Sequence, residues 1–344
     1  MRLFLIIVIM VMLNAPPAAA LEELHILAGT RMIPEALVDR FQQESGIRLK
    51  IEYFDSPEAL AAYLGAHPRG DLALVREHHL GPLVNNRQLS ALDHARLPGL
   101  RNLSPQALDN PADPGCHYSF PYTVGSLGII YRRDVLDGEP DGWPWLFGQY
   151  AHTAPFAMAN QYRDVMCAAL ISQGYSCNST SPLAVEQAVE TLRQVEKHPA
   201  FIGFLDVPST LSYLKERIIY AAFTYDNVAA QAMAEDPGLA FTRPGGEGIN
   251  WSWIFVFNKQ SQNPEAAYRW LEFLLDPQVA AAVSMEYDTA TPNQAALEYL
   301  GEATKRNTVI YPPSSQAAKP QMPLGIDEKS EKLYIDYWSR LKKK

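Results

Sequence analysis

The strongest hydrophobic pattern lies at the start of the chain. Arg2 supplies a positive charge, residues 3–13 form a continuous apolar run, and residues 18–20 are three alanines before Leu21. These features in this order are typical of a secretory signal peptide with a small-residue cleavage site. The apolar run is shorter than the roughly 20 residues that a membrane span needs, and no cysteine stands at the cleavage point to carry a lipid. We therefore expect residues 1–20 to be a cleavable signal peptide, and the remainder to be a soluble periplasmic protein.

After this segment, strand and helix periodicities alternate. Apolar runs at residues 24–27 and 72–75 predict buried strands, and the alternation of apolar and polar positions over 47–53 predicts a half-buried strand. Apolar positions at helical spacing predict helices over 34–44 and 57–64. Strand, helix and strand with short links form the βαβ unit of an open parallel sheet.

The second half of the chain repeats this alternation. Its predicted helices cover 181–198, 226–234, 263–276, 276–287 and 327–341, and its predicted strands cover 218–224, 239–242 and 253–257. Residues 244–248 (Pro-Gly-Gly-Glu-Gly) give the strongest loop signal. No long linker separates the halves, so we expect two α/β lobes tied by more than one crossing, with a ligand cleft between them. We assign 21–126 plus 250–295 to lobe 1, and 127–249 plus 296–344 to lobe 2.

Composition and charge narrow the function classes. The chain is 47% hydrophobic and 19% charged, which is typical of a globular protein with a substantial core. It carries 38 acidic against 29 basic residues. This balance disfavours nucleic acid as a partner, because nucleic acid binding requires a clustered basic surface. An acidic surface is compatible with a cationic ligand.

The three cysteines fit an oxidising compartment, which permits one disulfide and one free thiol. Cys167 lies in an apolar helical pattern, and we interpret it as a small buried hydrophobic residue. Cys116 and Cys177 both lie in predicted loops, so a Cys116–Cys177 disulfide is one pairing to consider. The cysteine spacings do not suggest a zinc site.

A search for catalytic motifs finds none. Gly125-Ser126-Leu127-Gly128 has part of the G-x-S-x-G nucleophile motif, but Val124 stands where the first glycine is required. His78 and His79 beside Glu77 are the one pair of adjacent histidines. Metal ligation there is the lesser alternative, and we interpret this segment as a polar loop. The sequence therefore predicts no enzyme activity, no cofactor and no metal.

Two aromatic segments beside acidic or loop residues are candidates for ligand binding. Trp251 and Trp253 follow the glycine-rich loop, and Tyr225 and Asp226 lie at a predicted strand-to-helix turn, where open α/β sheets present ligands. Aromatic faces attract ammonium groups, and a carboxylate adds a charge-assisted hydrogen bond. The alternative is that both tryptophans belong to the core and that Asp226 caps its helix.

The chain also resembles the periplasmic binding proteins of ABC importers, specifically the spermidine/putrescine type. The resemblance covers residues 24–341 and is carried by FQQESGIRLKIEYFDSPEAL, SFPYTVGSLGIIY, GYSCNSTSP and NPEAAYRWLEFLLDPQVAAAV. It implies two α/β lobes joined by hinge crossings, with the ligand enclosed as the lobes close. It also implies an aromatic box along the methylene chain of the ligand and carboxylates at its ammonium ends.

The resemblance carries over to particular positions. Trp251 matches a family tryptophan, and Tyr225 stands where another tryptophan is usual. Asp164 falls at a position that is usually acidic, and Gln321 aligns with a polar contact near the C-terminus.

Other positions depart from the family pattern. Trp253 replaces an aspartate that normally anchors an amine, and Gln161 lies where another acid is usual. Arg76, Glu77 and His78 occupy a loop that is usually small and hydroxylated. An arginine near the site would repel a polycation.

Three hypotheses follow. The first is an importer receptor that captures a polyamine or related organic cation by hinge closure, as a monomer that docks on an inner-membrane permease. The second is a sensor that reports ligand state to an inner-membrane signalling receptor. The third is a binder of an anionic or zwitterionic ligand anchored by Arg76. For the amine hypotheses, the predicted aromatic walls are Trp251, Tyr225 and Trp253, and the predicted ammonium partners are Asp226, Asp164 and, third, Glu77.

Overall fold

The computed structural model describes residues 22–66, 70–140, 142–147, 154–244, 248–313 and 321–341. The predicted signal peptide and the middle of the glycine-rich loop lie outside the described residues. Within the described ranges, no helix combines the length and the apolar character that crossing a membrane requires.

The described strands form one mixed sheet in the order β2-β1-β3-β9-β4-β7-β5-β6, with β8 paired to β4. The strands are β1 Glu23–Gly29, β2 Arg48–Phe54, β3 Leu72–Arg76, β4 Ser119–Arg132, β5 Phe156–Ala159, β6 Phe201–Leu205, β7 Ala221–Tyr225, β8 Leu239–Thr242 and β9 Ile249–Phe257. Strand β1 pairs in parallel with β2 and β3, which confirms the predicted βαβ units. Strand β9 runs antiparallel to both β3 and β4.

Helices cover the sheet. They are α1 Glu35–Ser45, α2 Pro57–Ala66, α3 Leu80–Asn85, α4 Pro105–Leu108, α5 Gly142–Phe147, α6 Tyr162–Ser172, α7 Pro182–Lys197, α8 Val207–Lys215, α9 Asp226–Glu235, α10 Pro264–Leu274, α11 Pro277–Tyr287, α12 Glu302–Lys305 and α13 Glu328–Leu341. Helix α1 ends where Gly46 adopts φ 73°, a left-handed conformation that glycine tolerates at a helix C-terminus. Strand β7 begins three residues later than predicted, because Arg217 at φ 58° first turns the chain after α8.

Two large apolar cores lie along the sheet. One contains Phe41, Trp270 and Phe255, and the other contains Met166 and Phe223. The long neighbouring strands β4 and β9 contribute residues to both cores. They therefore join the two halves of the molecule, and Trp253 on β9 packs against both cores.

The cysteine pairing differs from the expectation. The disulfide joins Cys167 and Cys177, so Cys167 is not a free apolar residue and Cys177 does not pair with Cys116. The chain reverses after α6 at Gly174, where φ is 78°, and this brings the two Cα atoms to 4.3 Å. Cys116 is a buried free thiol in the other core, and burial raises its pKa to about 12.

Candidate functional site

A cleft of about 980 Å³ lies where the two cores meet, and we call it the central cleft. Its aromatic and ionisable lining residues are Phe54, Asp55, Glu58, Arg76, Tyr162, Asp206, Tyr225, Trp251, Trp253 and Trp338. Strand ends supply two of the central groups, because Arg76 is the last residue of β3 and Tyr225 is the last residue of β7. Ligand sites in open α/β sheets commonly lie at the carboxyl ends of strands.

Arg76 is the most strongly bonded charged group of the cleft. Its guanidinium makes two hydrogen bonds to Asp164, at 3.0 and 3.3 Å. It makes two more to Glu77, both at 3.1 Å. The side chain is 3% exposed. Burial alone would lower the pKa of Arg76, but the charges of Asp164 and Glu77 raise it well above its usual value.

Aromatic rings complete the surroundings of this guanidinium. Its carbon lies 5.9 Å from the ring centre of Tyr225 and 6.0 Å from that of Trp253, within the range of a cation–π contact. The Tyr225 hydroxyl donates a hydrogen bond of 2.5 Å to Asp164. We call Arg76, Glu77, Asp164, Tyr225 and Trp253 the arginine cage. It combines the aromatic and acidic groups predicted for an ammonium site, and it encloses a guanidinium of the chain itself.

Asp226 lies on the far side of Trp251. Its carboxylate accepts hydrogen bonds from the Ser126 amide at 2.6 Å, the Ser126 hydroxyl at 2.9 Å and the Asn227 amide at 2.9 Å. It lines a second cavity of about 370 Å³ together with Arg243 and Trp251, and it is not among the residues that line the central cleft. Burial raises the pKa of Asp226 to about 6.

Gln321 is also absent from the central cleft lining. Its side-chain oxygen accepts a hydrogen bond of 2.6 Å from the Cys177 amide, and its carbonyl accepts one of 2.8 Å from the Asn250 amide. These contacts tie the C-terminal segment to β9 and to the loop that carries the disulfide.

Trp251 forms the wall between the two cavities. It is 3% exposed and lines both of them. The Trp251 ring fits in this wall because residue 125 is glycine. A Cβ atom on residue 125 would lie 2.4 Å from the Trp251 ring and 2.5 Å from the Asp226 carboxylate. The ring edge of Tyr225 meets Trp251 with 5.9 Å between ring centres.

Three carboxylates of the central cleft were not predicted from the sequence. They are Asp55, Glu58 and Asp206. Asp206 accepts a hydrogen bond of 2.8 Å from the Ser209 amide, and the bonds from Ser209 lower its pKa. Asp55 and Asp206 share a signal that could have identified them, since each directly follows a parallel strand and stands two residues before a proline in the first turn of a helix.

One group of side chains near the cleft has the donors of a metal site. Glu58, His78 and His79 each place one ligand atom within 4.8 Å of the others. Burial, with the nearby charge of Arg76, lowers the pKa of His78 well below its usual value. Residues 77–79, which the sequence predicts to be a polar loop, form a 3₁₀ turn in which Glu77 and His78 are buried.

Comparisons with known proteins agree with this architecture. The family model described as "Bacterial extracellular solute-binding protein" matches residues 36–311. The chain is 26% identical over 334 residues to the spermidine/putrescine-binding periplasmic protein of Salmonella typhimurium, covering 96% of this chain and 94% of that one. It is 27% identical over 354 residues to the putrescine/cadaverine-binding protein of Pseudomonas aeruginosa, covering 98% of each.

Solved structures give the same result. A putative spermidine/putrescine ABC transporter protein from Listeria monocytogenes is 25% identical, with a TM-score of 0.85 over 94% of this chain and 99% of that one. The spermidine/putrescine substrate-binding protein PotD from Streptococcus pneumoniae is 27% identical, with a TM-score of 0.80 over 93% and 98%.

These matches confirm the predicted two-lobe periplasmic binding protein fold. The matched family consists of solute-binding components of transport systems, which confirms that the chain is not an enzyme. The chain therefore belongs to the bacterial extracellular solute-binding proteins.

Proposed function

We propose that this chain captures an organic cation of the polyamine class in its central cleft and delivers it to an ABC importer of the inner membrane. The names of the similar Salmonella and Pseudomonas proteins support the ligand class. The predicted signal peptide supports a periplasmic location. The Cys167–Cys177 disulfide agrees with it, because such bonds persist in oxidising compartments.

The charge of the central cleft carries this proposal. Arg76 is the one basic residue among the described residues that line the cleft, and Asp164 and Glu77 already balance its charge. The other carboxylate side chains of the lining are Asp55, Glu58 and Asp206. A cleft that retains carboxylates and aromatic faces favours a cation over an anion.

The arginine cage restricts which cation fits. Its guanidinium occupies the space between Asp164, Tyr225 and Trp253, and a second cation placed against it would be repelled. The ammonium groups of the ligand must therefore meet the carboxylates outside the cage. We propose a short amine, with Trp251 and Trp253 against its methylene groups.

The geometry favours an amine over a ligand anchored by Arg76. A ligand carboxylate would have to displace Asp164, which also accepts the hydrogen bond from Tyr225. The sensor hypothesis uses the same cleft and differs only in its partner. Transport in vesicles that contain the cognate permease distinguishes the importer receptor from the sensor.

Thermal unfolding with a panel of solutes tests the ligand class. The panel comprises putrescine, cadaverine, norspermidine, spermidine, betaine-like cations and amino acids. A ligand at 100 times its Kd stabilises the folded chain by about 2.7 kcal/mol. We expect an amine to raise the Tm, and Asp206→Asn with Asp55→Asn to reduce that rise. A rise with carboxylate-bearing solutes alone would contradict the proposal.

A further inference from the structure

Three side chains from two elements converge at the edge of the central cleft. Glu58 lies in the first turn of α2, and His78 and His79 lie in the 3₁₀ turn after β3. One carboxylate oxygen and one nitrogen from each imidazole all lie within 4.8 Å of one another. We call these three residues the histidine cluster.

The polar atoms of the histidine cluster lack partners. Both ring nitrogens of His78, Nε2 of His79 and Oε1 of Glu58 are buried and make no hydrogen bond. The side chain of His78 is only 4% exposed, and its nearest carboxylate, on Glu77, is 4.0 Å away. Buried polar groups in folded proteins almost always have a partner. Unpartnered atoms of three side chains at one point therefore mark a position suited to binding a ligand.

The chemistry of these donors selects the partner. Two imidazole nitrogens and one carboxylate oxygen suit zinc and related transition metal ions, which bind such ligands at about 2.0–2.2 Å. Calcium and magnesium prefer oxygen ligands alone. Ligand atoms of a tetrahedral ion at that bond length lie about 3.4 Å apart, so the three side chains need only a small inward shift.

The surrounding charge also suits a divalent cation. Two guanidinium groups are near, but that of Arg76 is bound in its cage, and that of Arg163 donates hydrogen bonds to Asn178 and Leu324. The Tyr162 ring, which faces His78 edge-on, donates a hydrogen bond to Glu331. Three carboxylates, those of Glu58, Glu77 and Asp164, thus outnumber the two guanidinium groups by one.

We propose that Glu58, His78 and His79 bind one divalent transition metal ion of the zinc class. The three protein ligands leave a coordination position free. Because Glu58 also lines the central cleft, the ion lies at the cleft wall. When Glu58 binds the ion, Asp55 and Asp206 remain as cleft carboxylates for the amine, and the test of this site uses the metal alone.

Calorimetric titration with ZnCl₂ tests the site. The tag-free full chain is treated with EDTA, dialysed and titrated, and Co²⁺ is then used to record a visible absorption spectrum. We expect one ion per chain. Glu58→Gln and His79→Gln should each weaken zinc binding at least about tenfold, because even the loss of an outer-shell partner costs 10–100-fold. Glu58 and His79 are only partly buried, so both variants should fold.

His117→Gln is the matched control. His117 is exposed and its ring stacks on that of His94 at 6.0 Å, so the chain offers a second pair of neighbouring imidazoles. We expect this variant to bind zinc as the unmodified chain does. The proposal is overturned if the unmodified chain binds no zinc, if the folded Glu58 and His79 variants bind it unchanged, or if only His117→Gln loses it.

Discussion

The arginine cage and the histidine cluster are adjacent in the chain and opposite in character. Arg76 and His78 are separated by one residue, and both are buried. Every charge of the cage has a partner within the molecule, whereas the ring nitrogens of His78 have none. The comparison teaches that burial alone does not identify a binding site. A buried polar group that has its hydrogen-bond partners within the protein contributes to the fold. A buried polar group without hydrogen-bond partners is available to a ligand.

The largest expected difference between the two regions is in stability. Asp164→Ala leaves Arg76 buried with only one carboxylate, and breaking a buried ion pair in this way costs about 3–5 kcal/mol. Glu58→Gln in the metal-free chain removes no hydrogen bond, so we expect a change within about 0.5 kcal/mol. Urea unfolding of both variants measures the difference. Equal losses of unfolding free energy in the two variants would contradict the proposed difference between the cage and the cluster.

Asp226 is intermediate between the arginine cage and the histidine cluster. Its carboxylate has hydrogen-bond partners, but these are neutral donors, and the guanidinium of Arg243 approaches only to 3.8 Å. Its folded pKa of about 6 lies above its ordinary value of 3.8. Its contribution to stability is therefore fully present below pH 3.8 and is lost as the pH rises through 6. We expect the stability of the chain relative to Asp226→Asn to fall by about 2 kcal/mol between pH 4 and pH 8. Unfolding curves across this range measure it, and a constant difference would show that the pKa is not raised.

Gly125→Ala tests the wall between the two cavities. The added Cβ would lie 2.4 Å from Trp251, and overpacking of this kind costs about 1–3 kcal/mol. We expect a lower Tm, a shift in tryptophan fluorescence and weaker amine binding. Gly301→Ala is the control, because its Cβ would meet nothing within 4 Å. Unaltered fluorescence in Gly125→Ala would mean that Trp251 does not depend on this glycine.

The smallest effect is expected at the cleft carboxylate Asp206. Its side chain caps α8 through Ser209, so Asp206→Ala should cost about 1 kcal/mol of unfolding free energy. Asp206→Asn keeps the cap and removes the charge. If the charge of Asp206 contributes to amine binding, both variants should bind an amine more weakly. Only Asp206→Ala should lose appreciable stability. Full amine affinity in Asp206→Asn would remove this residue from the site.

Much of the fold could be predicted from the sequence, because hydrophobic periodicity records which face of each element is buried. The site could be predicted only in part. Tyr225 and Asp226 are neighbours in the chain, yet one lines the central cleft and the other lines the cavity behind Trp251. Periodicity cannot decide which of two adjacent residues at a strand end faces the ligand.

Contacts between residues that are far apart in the chain also could not be predicted from the sequence. The histidine cluster needs Glu58, about which the sequence near His78 says nothing, and Glu77 beside it is already bound to Arg76. The disulfide needs the chain reversal at Gly174 that returns Cys177 to α6. Both depend on tertiary packing rather than on local pattern.

The central claim is that the cleft binds an organic cation and that Arg76 occupies a cation site within it. Calorimetric titration of putrescine into the unmodified chain and into Arg76→Met tests it most directly. We expect one amine per unmodified chain. In Arg76→Met, binding should be at least about tenfold tighter, because Asp164 and Glu77 lose their internal partner and buried charge pairs couple by about 1.5 kcal/mol or more. Amine binding that is absent from both proteins, together with carboxylate binding that disappears in Arg76→Met, would contradict the account.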